Sequence, residues 1–376
     1  LLGLVGSEMC IRDSYYISTK FAKSKESEIY KAWAWGNYKY QSKSKKNLLY
    51  VKEQKELEFL TFYSDCINFS RDLINSPANK LNPSTYYSKI KNSNLFKSFN
   101  FIDYTEKEIN SNFPLTCAVG KSSSSKPKVI EITNRKLSKK DKPLVIIGKG
   151  VTFDTGGVNI KPGTSMRNMK KDMGGSAIAI SLFLLANYFL KKTKIVLIAP
   201  IAENAISSKS MRPGDVYSSV SGKSVEIAHT DAEGRLLLAD AIEKASSYNP
   251  CMIIDFATLT GAARVALGED LPAYFCNNET FAKKIENLNK EKLRCWRLPL
   301  YSPYLFKIKS QVADLSNASL DGMAGSITAA LFLQEFLKSP NIPWFHFDTF
   351  AWSQDSKGAA LQGLDIMSDF LRKNFN

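Results

Sequence analysis

Histidine is nearly missing from this sequence: His229 and His346 are the only two in 376 residues. No HExxH pair can be drawn from them, which argues against a zinc site built on imidazole ligands. Cysteine is sparse too, and the six residues (Cys10, Cys66, Cys117, Cys251, Cys276, Cys295) are scattered with no CxxC pair. That spacing rules out zinc knuckles and dithiol redox motifs, and a chain of this size needs no disulfide staples, so a reducing, cytoplasmic setting is expected. No uninterrupted apolar run reaches the roughly 18 residues of a membrane span. The longest candidate, 177–190, is broken by Ser181, Asn187 and Tyr188. A Walker phosphate loop is excluded because the spacing GxxxxGK(S/T) does not occur. Acidic residues are outnumbered, 36 against 51 Lys and Arg, for a net charge of +15. The excess is concentrated in residues 1–148, with 25 basic against 14 acidic residues, away from the motifs described below. Such a surface could attract nucleic acid by counterion release, but the Lys-, Asn- and Ser-rich style of the whole chain reads more simply as a solvated basic surface.

What the sequence does contain is core material. A hydrophobic content of 44% with 23% charged residues fits a soluble globular protein of one large or two ordinary domains. The opening LLGLVGSEMCIRDS, residues 1–14, has neither the basic start nor the apolar centre of a signal peptide and reads as a non-native fusion, a translated sequencing adapter. Residues 15–52 are too few to enclose a core and are expected to be the remnant of a truncated N-terminal domain. Residues 53–376 then form the main domain, entered through a helix predicted over 53–74 from the spacing of Leu57, Leu60, Tyr63, Ile67, Leu73 and Ile74. Beyond it, buried strands are predicted at 129–133, 144–148, 195–200 and 252–256, and helices at 174–190, 236–247 and 326–337. This alternation predicts an α/β fold: a mixed, mostly parallel central sheet covered by helices on both faces. In such sheets the chemistry collects beyond the carboxyl ends of the strands.

Three strings at those junctions carry chemistry-bearing residues. LVIIGKGVTFDTGGVNIKPG, 144–163, runs from an apolar strand through glycines into Lys149, Asp154 and Lys161, though a lone Lys or Asp at a Gly-rich strand exit is usually just solvated. In MRNMKKDMGGSAIAISLFLL, 166–185, Asp172 stands before an apolar helix, where capping alone would explain it. In VEIAHTDAEGRLLLADAI, 225–242, Asp231 and Glu233 are two apart, so an extended segment would project both carboxylates to one side. Two acids held together repel and are normally stabilised by a cation, although the dipole of the following helix would account for one of them. Asp154, Asp172, Asp231 and Glu233 together carry enough negative charge for two divalent ions at the ~3.5–4 Å separation of two-metal hydrolases. An all-carboxylate site suits Mg²⁺, Mn²⁺, Co²⁺ or a carboxylate-bound Zn²⁺.

Taken together these strings closely resemble the leucyl (cytosol) aminopeptidase family of metallopeptidases, whose hallmark NTDAEGRL stands here as HTDAEGRL. The likeness continues in order through RDLINSPANKLNP (71–83), GKGVTFDTGG (148–157), MKKDMGG (169–175), AENAISSKSMRPGDV (202–216), DFATLTGAARVALG (255–268), WRLPL (296–300), AGSITAALFL (324–333) and WFHFD (344–348). The resemblance implies that Lys149 and Asp172 help hold one metal and Asp231 the other, with Asp154 and Glu233 touching both. A neutral lysine amine as ligand is unusual, but a nearby dication depresses a lysine pKa. It implies further that Lys161 polarises the scissile carbonyl, that Arg235 holds a bicarbonate ion as general base, and that Met169 with the Thr258-Leu259-Thr260-Gly261 turn surrounds the residue removed. For Met169 alone, ordinary core packing is the default reading. Implied cofactors are two divalent ions, Mn²⁺ or Zn²⁺ before Co²⁺ or Mg²⁺, and bicarbonate. Implied partners are peptide substrates with a leucine-like N-terminal residue and further copies of the chain in a homohexamer.

Two departures stand out: His229 replaces the usual Asn, and residues 15–52 are expected to match only the last part of the family's N-terminal domain. His346 and Asp348 are assigned a structural role on a buried strand. Two rival functions remain on the sequence alone. DNA binding would weaken steeply with salt, and a carboxylate two-metal phosphoesterase would turn over phosphate esters rather than aminoacyl reporters.

Overall fold

The computed structural model describes residues 14–15, 23–41, 48–49, 51, 53–354 and 358–375. Apart from Ser14, the opening segment read as a fusion lies outside them. A mixed nine-stranded sheet forms the centre. Its strands are β1 (Asn100–Phe101), β2 (Lys128–Thr133), β3 (Leu144–Gly148), β4 (Gly150–Asp154), β5 (Ile195–Asn204), β6 (Met252–Ala257), β7 (Ala273–Cys276), β8 (Trp296–Arg297) and β9 (Trp344–Asp348). They lie in the order β8-β7-β9-β6-β3-β5-β2-β1, with β4 continuing beside β5. The central block β9-β6-β3-β5 is parallel, in register from Ile253 opposite Trp344 and Val145 to Val145 opposite Val196. Strands β2 and β7 run antiparallel to their inner neighbours.

The period-two alternation of these strands splits their side chains between two cores. Leu144, Ile146, Leu197, Ile254 and Phe345 face one side, where they meet the helices α2 (Gln54–Asn75), α3 (Gly174–Phe189) and α6 (Leu364–Asn374). Val145, Ile147, Val196, Ile253 and Trp344 face the other, against α4 (Gly234–Ser247) and α5 (Gly325–Gln334). Both faces of the parallel block are thereby covered, which is why its strands read as continuous apolar runs rather than as alternating ones. The segment Met169–Phe189 is apolar and long enough to cross a membrane by length and composition, yet 83% of that window is buried inside the protein. It is a core helix, apolar all round because strands, α2 and α6 pack against it. Among the N-terminal residues, α1 (Lys23–Gly36) lies along α2, with Trp35 Nε1 donating to Tyr63 OH at 2.7 Å.

Candidate metal centre and substrate cavity

The carboxyl ends of β3, β4 and β6 and the N-terminal ends of α3 and α4 meet at one place, the crevice at which ligands gather in open α/β sheets. Lys149 follows β3 directly; its backbone N–H still bonds to Phe256 O at 3.0 Å, which keeps the residue in the sheet and its side chain in the interior. Its Nζ lies 2.7 Å from Asp172 Oδ2 and 3.0 Å from Glu233 Oε1, and donates to Thr258 O at 2.9 Å. Burial opposes the charge on this amine, but the fields of Asp172, Glu233 and Asp154 outweigh burial and raise its pKa. With protein charges alone Lys149 is therefore an ammonium ion. The neutral ligand amine implied by the family resemblance requires dications to outweigh those acids.

Asp154 closes β4. Its Oδ1 accepts from Gly156 N and Asn204 Nδ2, both at 2.8 Å, while Oδ2 lies 2.8 Å from Lys161 Nζ. Gly156 has φ +87°, and a Cβ there would stand 2.9 Å from Asp231 Oδ1, so the turn that returns Lys161 to the site demands glycine. Lys161 Nζ reaches Asp231 Oδ1 at 2.5 Å. Burial works against this ammonium as well, and Asp154 and its neighbours raise its pKa regardless.

Two local expectations are corrected. Asp172 is not the N-cap of α3: it sits in the 3-10 turn Met169–Met173, the cap position falls on Met173, and no side chain caps the helix there. Thr258 Oγ1 donates to Asp172 Oδ1 at 2.7 Å and Lys149 faces Oδ2, so stronger partners take the carboxylate away from the helix end. Asp231 and Glu233 do not lie on an extended segment either. Ala232 N bonds to His229 O at 3.1 Å in a turn, and Glu233 is the αR residue that opens α4. Asn317 holds that turn, accepting from Ala228 N at 2.8 Å and donating to His229 O at 2.8 Å. The turn, rather than strand alternation, brings the two acids to one centre. His229 Nδ1 accepts from Asp231 N at 3.2 Å, a job an asparagine oxygen could also do. Burial, then Lys161 and Arg235, lower the pKa of His229 and so preserve the lone pair that this bond needs.

The residues fit a metal centre. One oxygen each from Asp154, Asp231 and Glu233 lies within 4.8 Å of the others, and Asp172 joins them through Lys149. Asp172 Oδ2, Asp231 Oδ1 and Glu233 Oε2 are buried without a well-directed hydrogen bond, although the first two are at ion-pair distance from lysines. Burial and then Asp154 raise Glu233 well above the usual carboxylate range and Asp231 to about 6. Four acids outnumber the two ammonium groups in contact with them and the nearby Arg235 guanidinium, leaving negative charge that a proton or a cation would settle. Glu233 and Arg235 are buried and do not border the cavity themselves. Burial brings Arg235 down to about 10, still charged at neutral pH, and its Nε has no hydrogen-bond partner among the described residues.

A cavity of about 520 Å³ opens over Lys149, Asp154, Lys161, Asp172 and Asp231. Met169, Thr258, Leu259 and Gly261, the expected substrate contacts, all border it. The Thr258 hydroxyl is nevertheless committed to Asp172, so this side chain orients a carboxylate. Asp348 anchors the same turn, accepting from Leu259 N and Thr260 N at 3.1 Å and from Thr260 Oγ1 at 2.6 Å. His346 pairs with Asp255 at 2.5 Å inside the sheet. Sequence reasoning passed over Asn204 and Asn317, neutral residues that no charge pattern marks, and over Lys171 and Phe350, which border the cavity.

Residues 68–367 match the profile of the cytosol aminopeptidase family, catalytic domain. This chain belongs to the cytosol aminopeptidase family. Among the family's curated proteins, a probable cytosol aminopeptidase from Syntrophotalea carbinolica is 37% identical over 298 residues, covering 78% of this chain and 59% of that relative. The chain thus spans somewhat over half the length of such relatives. The crystal structure of a cytosol aminopeptidase from Coxiella burnetii superposes with a TM-score of 0.85 at 38% identity, over 93% of this chain and 78% of that one. A second structural neighbour, the bottromycin maturation enzyme BotP in complex with Mn, gives a TM-score of 0.84 at 29% identity over 93% of this chain and 79% of that one. The family's mixed α/β fold is the one described above.

Proposed function

We propose that the protein is a two-metal aminopeptidase that removes unblocked N-terminal residues, leucine-like ones among them, from peptides. The observation that carries this reading is the convergence of Asp154, Asp172, Asp231, Glu233 and Lys149 on one centre, with buried carboxylate oxygens left short of hydrogen bonds. Lys149 and Asp172 would hold one ion, Asp231 the other, and Asp154 and Glu233 both. Mn²⁺ is the favoured metal, given the neighbour that binds it, with Zn²⁺ next and Co²⁺ or Mg²⁺ as further candidates. Bound there, such ions supply Lewis acidity and activate water at neutral pH.

The protein's own groups divide the remaining work. Lys161 is a fixed cation bordering the cavity, suited to stabilise the oxyanion that develops on the scissile carbonyl. Arg235 has a free donor and a planar fork matched to bicarbonate, the expected general base. Met169, Leu259 and Gly261 provide the wall for the departing residue's side chain. A homohexamer in the cytoplasm is the expected setting; the exposed Phe306, Val312, Leu320 and Met323 give copies of the chain apolar surface to share. In the test, the protein is stripped of metal and Mn²⁺, Zn²⁺, Co²⁺ and Mg²⁺ are restored singly against a panel of aminoacyl reporters. Hydrolysis is expected to vanish with chelation, return with metal, and disappear in Glu233→Gln and Lys161→Ala while circular dichroism stays unchanged. Wild-type rates in both variants, or hydrolysis indifferent to chelation, would defeat the reading.

A further inference from the structure

The turn Met169–Met173 sends three consecutive charged side chains in three directions. Lys170 Nζ donates to Asn75 O at 2.8 Å and lies over the Trp352 ring, and Asp172 faces Lys149. Lys171, between them, borders the cavity. Only 5% of its surface is exposed, yet its ammonium makes no ion pair or hydrogen bond with any described residue. What it meets is the face of Phe350, with Nζ 4.2 Å from the ring centroid. The Arg264 guanidinium lies 4.8 Å from the centroid of that same ring and is likewise without a carboxylate partner among the described residues. A buried ammonium is costly when unpaired, and an aromatic face offsets only part of that cost.

The acids nearby do not serve as partners. Asp172 Oδ1 is bonded to Thr258 and Oδ2 faces Lys149. Both oxygens of Asp348 are taken by the Leu259–Thr260 turn and Ser326. Glu269 borders the cavity but comes within ion-pair distance of neither cation. One wall of the cavity therefore carries two cations around an aromatic ring, with no anion of the protein's own to answer them.

We propose that Lys171 and Arg264, set around Phe350, form a carboxylate-binding wall of the substrate cavity, which admits substrates bearing a carboxylate besides leucine-like ones. The inference rests on the aminopeptidase reading and adds a substrate class to it. Met169, Leu271 and Pro272 border the same cavity and suit the methylene groups leading to an acidic head group. Two sources share this chemistry: the side chain of an N-terminal Glu or Asp, and the free C-terminus of a short peptide.

The experiment uses the Mn²⁺-loaded full chain. Glutamyl and leucyl aminocoumarins, which lack a C-terminal carboxylate, are compared in one arm; Leu-Gly and Leu-Gly amide are compared in the other. Lys171→Met is expected to lower the glutamyl-to-leucyl ratio of kcat/KM, or the ratio of Leu-Gly to its amide, by roughly tenfold or more, the usual weight of a charge-assisted hydrogen bond. Lys171→Arg should restore part of the loss, and Arg264→Gln, on an exposed residue, should show a smaller loss in the same ratio. The arm that responds names the source. Wild-type protein with no activity on the glutamyl reporter and no gain from a free C-terminus would overturn the proposal, as would both ratios staying within twofold in Lys171→Met. Should that variant fail to melt cooperatively, Arg264→Gln decides alone. Absence of leucyl hydrolysis in the wild type would instead sink the aminopeptidase reading. Calorimetric titration with L-glutamate against L-leucine then still decides the carboxylate wall: weaker binding of glutamate in Arg264→Gln supports it, and unchanged binding overturns it.

Discussion

Gly234 offers the sharpest test of how the centre is built. It is the first residue of α4, next to Glu233, and a Cβ placed on it would stand 2.4 Å from Lys149 Cε and 2.6 Å from Nζ. Carbon atoms rest at about 3.5–4.0 Å, so Gly234→Ala must push the lysine tip away by about 1 Å or more. A flexible side chain would normally yield at little cost. Lys149 is not free to yield, because Asp172, Glu233 and the Thr258 carbonyl hold its nitrogen at 2.7–3.0 Å in a fully buried place. Alanine itself favours the helix by up to about 1 kcal/mol. Against this stands the loss of contacts between a buried cation and its acids, where breaking such a pair costs about 3–5 kcal/mol. A net loss of about 2–4 kcal/mol is expected in metal-free protein, and misplacement of this order costs about 100-fold in turnover. Thermal denaturation of the metal-free protein and Mn²⁺-dependent hydrolysis of a leucyl reporter measure the two effects. Gly163→Ala, where a Cβ meets nothing within 4 Å, is the control and should behave as wild type. Unaltered stability and turnover in Gly234→Ala would refute the claim that Lys149 is fixed where the acids converge.

Other predictions concern the supports around the centre. His229→Asn should keep the bond to Asp231 N and most of the activity, whereas His229→Ala should weaken Mn²⁺ binding roughly tenfold, as loss of an outer support commonly does; equal affinities in a metal titration would show that the bond is idle. Asp348→Ala leaves two backbone N–H groups and two hydroxyls without their acceptor, so a loss of about 2–4 kcal/mol in denaturant titration and a raised KM are expected. His346 is buried, which opposes its charge, but Asp255 prevails and raises its pKa above 6.5. A raised folded-state value means that the native state holds the extra proton, so this pair's contribution is complete below pH 6.5 and is lost as pH rises through the folded value. The melting-temperature gap between wild type and His346→Asn should accordingly shrink from pH 6 to pH 9; a constant gap would contradict the assignment.

Much of the fold was legible because apolar runs and helical periods agree with each other. The strand Leu144–Gly148 falls where its unbroken run of branched residues predicts it, and α2 and α3 fall within one residue of their expected ends. Strand β5 extends four residues past the expected Pro200, because its tail pairs with β4 after β3 has ended, a tertiary contact that propensity cannot register. The short strands β7 and β8 were not marked either. They gain their place at the sheet edge from pairing with β9 and with each other rather than from any pattern of their own.

The site was legible where charge marks it and obscure where neutral groups do the holding. Lys149, Asp154, Asp172, Lys161, Asp231 and Glu233 are each conspicuous beside glycines or helix starts, and they do come together. The reasons first attached to two of them, capping for Asp172 and strand alternation for Asp231 and Glu233, were local reasons, and the structure replaces both with long-range ones. Thr258 reaches across 86 residues to turn Asp172 toward Lys149, and Asn317 reaches across 88 to hold the carbonyl of His229 at the Asp231 turn. A carboxylate cluster repels itself, so no local preference can assemble it. It must be imposed by rigid groups elsewhere, and two of those that do so here, Thr258 and Asn317, are neutral. Hydroxyls and amides that hold such a cluster thus leave little trace in composition or period, while the acids they hold are plain to read. Lys171 is the converse case: a charge readily seen in the sequence, whose meaning depends on which wall of which cavity the fold gives it.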